Sequence, residues 1–240
     1  MPIVTVSRQY AAGGASIAGA VARLLGVECL DRRLLVEAAR QLGATVEAVA
    51  ARDERSSSLG ERIQRAIGAI LERSAASASP GFPDEGYVTP AQMERLFSRT
   101  AQEAARQPIT SAQEIDDRRY LEVIRQVITE AAEGGKVVIL GHGSQVILRD
   151  HPHAFHVFVV ATLEIRVERV MQAEGLDREA ALKRMKETDS ARDAWHRKFF
   201  KVDRNDPGLY HLVVNTGRVP LEMAATIVAN SLQMLEGMDL

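Results

Sequence analysis

The sequence predicts a three-layer α/β fold with a parallel sheet of about five strands, and three observations carry that prediction. Short β-branched apolar runs alternate along the chain with segments whose apolar residues recur every three or four positions. Those runs are apolar throughout rather than alternating, as strands buried on both faces are. The first run, Ile3-Val4-Thr5-Val6, passes through a loop holding Gly13-Gly14 straight into a helical pattern of Ile17, Val21, Leu24 and Leu25. No internal repeat is visible. Residues 1–240 read as one domain carrying a helical insertion at 44–112 and a lid-like region at 175–205.

The elements follow in order. The first strand is expected at 2–6 and the first helix at 15–25, closed by Gly26 as a C-cap. A second, short strand covers 27–30 and ends at Asp31-Arg32-Arg33, with a helix at 34–42 behind it. Residues 44–113 break the alternation. Helical stretches at 59–75 and 90–105 flank SAASASPGFPDEGY, whose Ser, Pro and Gly content marks a loop. A long helix is expected at 111–133, with Tyr120, Val123, Ile124, Val127 and Ile128 on one face and Gly134-Gly135 at its end. Strands follow at 136–140 and 154–161, helices at 163–173 and 178–199, a last strand at 210–214 and a last helix at 220–235.

Composition narrows the class. The chain is 46% hydrophobic, ample for a core, and its formal net charge of -2 gives no global basic field for nucleic acid. One cysteine, Cys29, excludes an intrachain disulfide and fits a reducing compartment. No run approaches the roughly 18 apolar residues of a membrane span, and the N-terminus reads as a strand rather than a leader. A cytoplasmic protein is expected.

The N-terminal loop holds the strongest chemical signal. Strand, glycine loop and helix together present bare backbone N–H groups and a helix N-terminus to an anion. The phosphate-loop pattern G-x-x-x-x-G-K-[ST] is not met. With Gly13 as its second glycine, Arg8 stands at the first and Gly14 at the lysine, followed by Ala15 and Ser16. Arg8 is the residue placed to supply the missing charge, since guanidinium pairs well with phosphate. The Ser16 hydroxyl is a candidate Mg²⁺ ligand. A Val at Gly13 is expected to fill the space a phosphate needs.

Other candidates cluster where ligands bind in open α/β sheets, beyond the strand C-termini. Asp31 and Arg32 follow the second strand, where an acid and an arginine can read a base and a phosphate; an N-cap is the competing role for Asp31. Gly141-His142-Gly143 follows the most apolar strand, and its glycines allow close backbone approach. A stretch bearing Arg166, Arg169, Arg178, Lys183, Arg184, Lys186, Arg192, Arg197 and Lys198 is interspersed with acids, as a solvated, salt-bridged helix is. It also suits a mobile arginine-bearing lid over a transferred phosphoryl group. Asp189 and Arg192, three apart, share a helix face, so Asp189 is expected to orient Arg192. The six histidines show no metal-ligand pattern.

The segments SRQYAAGGASIA, ECLDRRLL, VVILGHGSQVILRD, ATLEIRVERVMQAEGLDREAALKRMKETDSARDAW and DPGLYHLVVNTGRVPLEMAATIV, in that order, resemble the cytidylate kinase-like family. This is a branch of the nucleoside monophosphate kinase group. The resemblance implies the P-loop NTPase fold, with ATP and Mg²⁺ as cofactors. It implies a phosphate loop at residues 8–16, with Ala12, Gly13, Gly14, Ala15 and Ser16 on the donor phosphates. It places Arg169 against the ATP base, Asp31 and Arg32 at the start of the acceptor region, and Gly141-His142 on the acceptor. Arg184, Asp189 and Arg192 correspond to the lid. Two positions depart from the pattern: Gly14 stands for the loop lysine and His142 for an arginine.

The expected function is ATP-dependent phosphoryl transfer to a nucleoside monophosphate, CMP-like, or to a related small phosphate acceptor. The partners expected are small-molecule nucleotides, with neither nucleic acid nor membrane and with a homodimer contact through the insertion. Two rivals stand beside it: a nucleotide-binding regulator without turnover, and an interaction scaffold that uses the insertion.

Overall fold

The computed structural model describes residues 3–53 and 116–237 and lays five strands side by side, all parallel. In chain order they are β1 (Ile3–Arg8), β2 (Glu28–Leu30), β3 (Val137–Leu140), β4 (Ala154–Val160) and β5 (Leu212–Asn215). Their order across the sheet is β2-β3-β1-β4-β5, with Thr5 of β1 level with Ile139 of β3 and His156 of β4. Eight α-helices are described: α1 (Gly14–Leu25), α2 (Arg32–Leu42), α3 (Val46–Asp53), α4 (Asp117–Glu133), α5 (Ser144–Ile147), α6 (Leu163–Glu174), α7 (Arg178–Phe200) and α8 (Leu221–Glu236).

Alternation along the strands builds two cores. Val4, Val6, Val138, Leu140 and Val157 turn to one face, where Ile17 and Val21 of α1 and Ala224 and Val228 of α8 cover them. Ile3, Val137 and Ile139 turn to the other, under Leu34 and Ala38 of α2 and Tyr120, Ile124 and Ile128 of α4. Burial of one such aliphatic side chain is worth about 1.5–3 kcal/mol, so both layers are fixed by the strands' own sequence. A third, smaller cluster joins α6 to α7 through Val167, Val170, Ala181 and Met185, and Tyr10 and Ala11 pack against it.

Several expected boundaries shift, each for a local reason. β1 runs on to Arg8 because its pairing with β4 continues through Ser7↔Phe158 and Arg8↔Val159. Arg8 is therefore a strand residue rather than the first residue of the loop. α4 begins at Asp117, where Asp116 is extended (φ -63°, ψ 135°) and its carboxylate accepts the N–H groups of Arg118 and Arg119 at 3.0 Å. β5 starts two residues late because a 3₁₀ turn, Pro207–Leu209, occupies the approach to it, capped by Asp206. Helix α5 is too short for a period to show. Gly26 does cap α1 in the left-handed region, at φ 65°. The expected helices at 59–75 and 90–105, and with them most of the 44–112 insertion, lie outside the described residues. No described helix is long and apolar enough to cross a membrane.

Because all five strands run the same way, their C-terminal ends share one edge. Arg8, Asp31, Gly141, Ala161 and Thr216 each stand at the end of a different strand there.

Candidate active site

The loop joining β1 to α1 is shaped for an anion. Ala11 (φ 56°) and Gly13 (φ 78°) are both left-handed, so successive amides turn toward one side of the chain. Gly13 is the N-cap of α1 and offers no side-chain hydrogen bond to the first turn, which holds no acidic residue. The amides of Gly14, Ala15 and Ser16 thus head a 12-residue helix whose dipole favours negative charge. Ala12, Gly13 and Gly14 are buried in the turn, and Ser16 stands in the first turn of α1.

Arg8 lies across this loop. A Cβ added to Gly14 would fall 2.5 Å from Arg8 Cβ and 2.7 Å from its Cδ, so the arginine's stem fills the space that a side chain at 14 would need. A Cβ added to Gly141 would fall 3.3 Å from Arg8 Nη1. The guanidinium therefore reaches from the loop to the end of β3. No carboxylate or other acceptor among the described residues takes it. Gly14 occupies the lysine's place in the loop pattern, and its bareness is what admits the stem of Arg8.

On the far side of the loop, Arg169 of α6 donates to Ala11 O (3.3 Å), Thr216 Oγ1 (3.0 Å) and Thr216 O (3.2 Å). Thr216 Oγ1 in turn donates to Ala12 O at 2.7 Å. Arg169 and Thr216 together tie the loop to the end of β5. A Cβ at Gly13 would meet Leu221 Cδ2 at 2.6 Å. The positive φ at this position is what calls for glycine, so Gly13→Val would strain the turn and push Leu221 aside before it touched a ligand.

Arg166, Arg169, Arg184 and Arg192 turn toward the loop, while Arg178 keeps an exposed pair with Glu164 at 2.7 Å. Asp189 Oδ1 accepts the Tyr10 N–H at 2.9 Å, and its Oδ2 pairs with Arg166 Nη1 at 2.5 Å. Arg204 is 2% exposed. It donates to Asp193 Oδ1 from Nε (3.0 Å) and Nη2 (2.8 Å), and to the Arg8 carbonyl from Nη1 (2.5 Å). Its Nη2 stands 3.5 Å from Asp189 Oδ1. The contacts of Asp189 are thus with Tyr10, Arg166 and Arg204, where the sequence pointed to Arg192. Arg184 Nε lies 3.4 Å from Glu174 Oε2. The guanidinium carbons of Arg184 and Arg192 stand 6.0 and 5.6 Å from the centroid of the Tyr10 ring. Lys183, Lys186, Arg197 and Lys198 face solvent.

The opposite flank brings His142 and Asp31 together. His142, left-handed at φ 56°, directs Nε2 to within 3.7 Å of Asp31 Oδ1. Asp31 precedes α2 without making a side-chain cap, so its carboxylate is not held in the N-cap role. Arg32 is the first residue of α2. Gly143 packs so tightly against Phe200 (2.4 Å to Cε2 from an added Cβ) that no side chain fits. The Cys29 thiol is pushed up to about 11, first by burial and then by Asp31, which leaves it protonated and inert.

Tyr10, Arg166, Glu174, Arg204 and Thr216 were not singled out as site residues from the sequence. Thr216 had one usable signal, its place at a strand's C-terminal end. The others are joined to the loop by contacts spanning more than 150 residues, which no spacing encodes.

A family model described as cytidylate kinase-like matches residues 3–218. The cytidylate kinase of Methanocaldococcus jannaschii is 28% identical over 122 residues, which is 50% of this chain and 64% of that protein. That of Methanopyrus kandleri is 33% identical over 97 residues, 37% of this chain and 50% of that protein. The chain spans between half and just under two thirds of the length of these relatives. A solved structure of an uncharacterized protein from Eubacterium ventriosum matches with a TM-score of 0.61 at 17% identity, covering 97% of this chain and 99% of that one, a likeness of fold.

Proposed function

The chain belongs to the cytidylate kinase-like family, and from that premise we propose that it transfers a phosphoryl group from ATP to a nucleoside monophosphate or a related small phosphate acceptor. The observation that carries this reading is the stem of Arg8 laid over Gly14, beside the uncapped N-terminus of α1. A cation and the N-terminal amides of α1 converge there, on the strand edge where such ligands bind.

In this reading the amides of Gly13, Gly14, Ala15 and Ser16 hold the donor phosphates, the Ala12 N–H being taken by the Gln9 carbonyl at 3.2 Å, and Arg8 neutralises them in place of a loop lysine. Arg169 lies on the donor's base side, fixed by Thr216. Among the described residues no three His, Cys, Asp or Glu side chains gather as a metal site. Mg²⁺ would accordingly be held by the nucleotide's own oxygens, with Ser16 as the protein ligand, and when bound it would neutralise charge on the donor phosphates. Transfer is in line and depends on positioning and charge rather than on a covalent intermediate. Arg184 and Arg192 face the charge that spreads over the transferred group. Asp31, Arg32, Gly141 and His142 border the acceptor.

A second reading, a nucleotide-binding regulator without turnover, is favoured by His142, which pairs with Asp31 where the family pattern has an arginine. A coupled assay with ATP and Mg²⁺ across nucleoside monophosphates and other small phosphate acceptors separates the two. The kinase reading expects turnover on at least one acceptor. It also expects Arg8→Ala to weaken ATP binding by about tenfold or more, most strongly at low salt, where screening is smaller. ATP binding without turnover on any acceptor decides for the regulator. Wild-type affinity in Arg8→Ala removes Arg8 from the site.

A further inference from the structure

Tyr10 is the one large side chain in the turn between β1 and α1, and phosphate binding by itself gives it no role. Every part of it is nevertheless engaged by α6 and α7. Its N–H donates to Asp189 Oδ1 at 2.9 Å, and its carbonyl accepts from Arg166 Nη1 at 3.3 Å. Its hydroxyl donates to Glu174 Oε1, whose other oxygen faces Arg184 Nε at 3.4 Å. The guanidinium groups of Arg184 and Arg192 both stand within about 6 Å of its ring centroid, inside the range of a cation–π contact. Below the ring lies the small apolar cluster of Val167, Val170 and Met185.

We propose that Tyr10 is a positioning residue, docking α7 on the loop and holding Arg184 and Arg192 in place for the transferred phosphoryl group. This rests on the phosphoryl-transfer reading above. The physical reason is conformational entropy. Arginine has a long, freely rotating stem, and ordering it only at the transition state subtracts from catalysis. A rigid aromatic ring within about 6 Å of both guanidinium groups orders them beforehand, and the Glu174 carboxylate fixes the ring and Arg184 together. One residue away, Ala11 and Gly13 take up the left-handed geometry of the anion loop. The same side chain thus sets the distance between the donor phosphates and the arginines.

The test uses the full chain and two variants. Tyr10→Leu keeps apolar contact with the cluster and removes the ring face and hydroxyl. Tyr10→Phe restores the face alone. With ATP, Mg²⁺ and the acceptor turned over by the wild type, Tyr10→Leu is expected to lower kcat about tenfold or more with the Kd for ATP within twofold. Tyr10→Phe is expected to recover most of that loss. A purely structural role would not produce the split between kcat and Kd or its recovery. Hydrogen exchange of the ligand-free protein gives a readout that does not need turnover: amides of α7 are expected to exchange about tenfold faster in Tyr10→Leu than in wild type. Wild-type kcat in Tyr10→Leu, or unchanged exchange in α7, overturns the proposal. A wild type without turnover instead overturns the phosphoryl-transfer reading, and the exchange data still decide whether Tyr10 docks the helix.

Discussion

On the β4–β5 flank of the strand edge charged side chains pair, Arg166 with Asp189, Arg204 with Asp193 and Arg184 with Glu174, and Arg169 donates to the Thr216 hydroxyl. On the β2–β3 flank the described residues show one looser pair, His142 and Asp31, at 3.7 Å. Arg8 spans the two, its carbonyl taken by Arg204 on one side and its Nη1 beside Gly141 on the other. The difference teaches what holds the β4–β5 flank in place. Partly buried ion pairs with several hydrogen bonds fix geometry more firmly than an ion pair 3.7 Å long.

The largest effect should come from breaking the built flank at its centre. Arg204→Met leaves Asp193 without its main partner and frees the Arg8 carbonyl. A loss of about 3–5 kcal/mol is expected from removing one member of a buried pair, measured as a shifted urea midpoint at unchanged slope. A loss below about 1 kcal/mol would mean that the network is no more rigid than the opposite flank.

Acid should loosen the sheet beneath both flanks. His156, 3% exposed, bonds Thr5 Oγ1 through Nδ1 at 2.7 Å, and burial followed by the neighbouring His211 lowers its pKa to about 4. Burial lowers that of His211 as well. The unfolded chain binds a proton near 6.5 that the native state refuses until about 4. This contribution to stability is therefore complete above about pH 6.5 and is lost as pH falls toward 4. The loss is on the order of 3 kcal/mol. Denaturant midpoints at pH 7.5 and 4 measure it, and in His156→Gln the pH dependence should flatten.

Turnover sharpens the comparison next. Arg192→Ala is expected to lower kcat by about 10²-fold with little change in ATP affinity, the signature of a contact made at the transition state. Wild-type kcat in that variant would return Arg192 to an ordinary helix surface. Asp189→Asn should now act mainly on loop and network geometry, because its partners are Tyr10, Arg166 and Arg204.

The smallest effect belongs to the long pair. The coupling between Asp31 and His142 should be no more than about 0.5 kcal/mol, since the pair is long and the carboxylate is 36% exposed. A double-mutant cycle of Asp31→Asn with His142→Ala measures it, and a coupling several times larger would show that this pair too is locked.

Sequence alone determined the layers and the loop of this protein. The apolar runs around Val4, Val138 and Val157 allow only strands buried on two faces, and the periods of α1, α4 and α8 supply their covers. Gly13-Gly14 before Ile17 marked the turn from β1 into α1, and the sequence drew attention to Arg8 as the cation beside it. These are local features, and period and turn chemistry are local rules. Tertiary structure decided the rest. It extended β1 through Arg8, placed the guanidinium of Arg8 between two bare glycines, and brought Arg204 from 196 residues away to its carbonyl. It gave Asp189 to Tyr10 and Arg166 instead of Arg192, and Glu174 to Tyr10. Which of many acids an arginine meets depends on where helices cross on the sheet, and the spacing of residues along the chain does not hold that information.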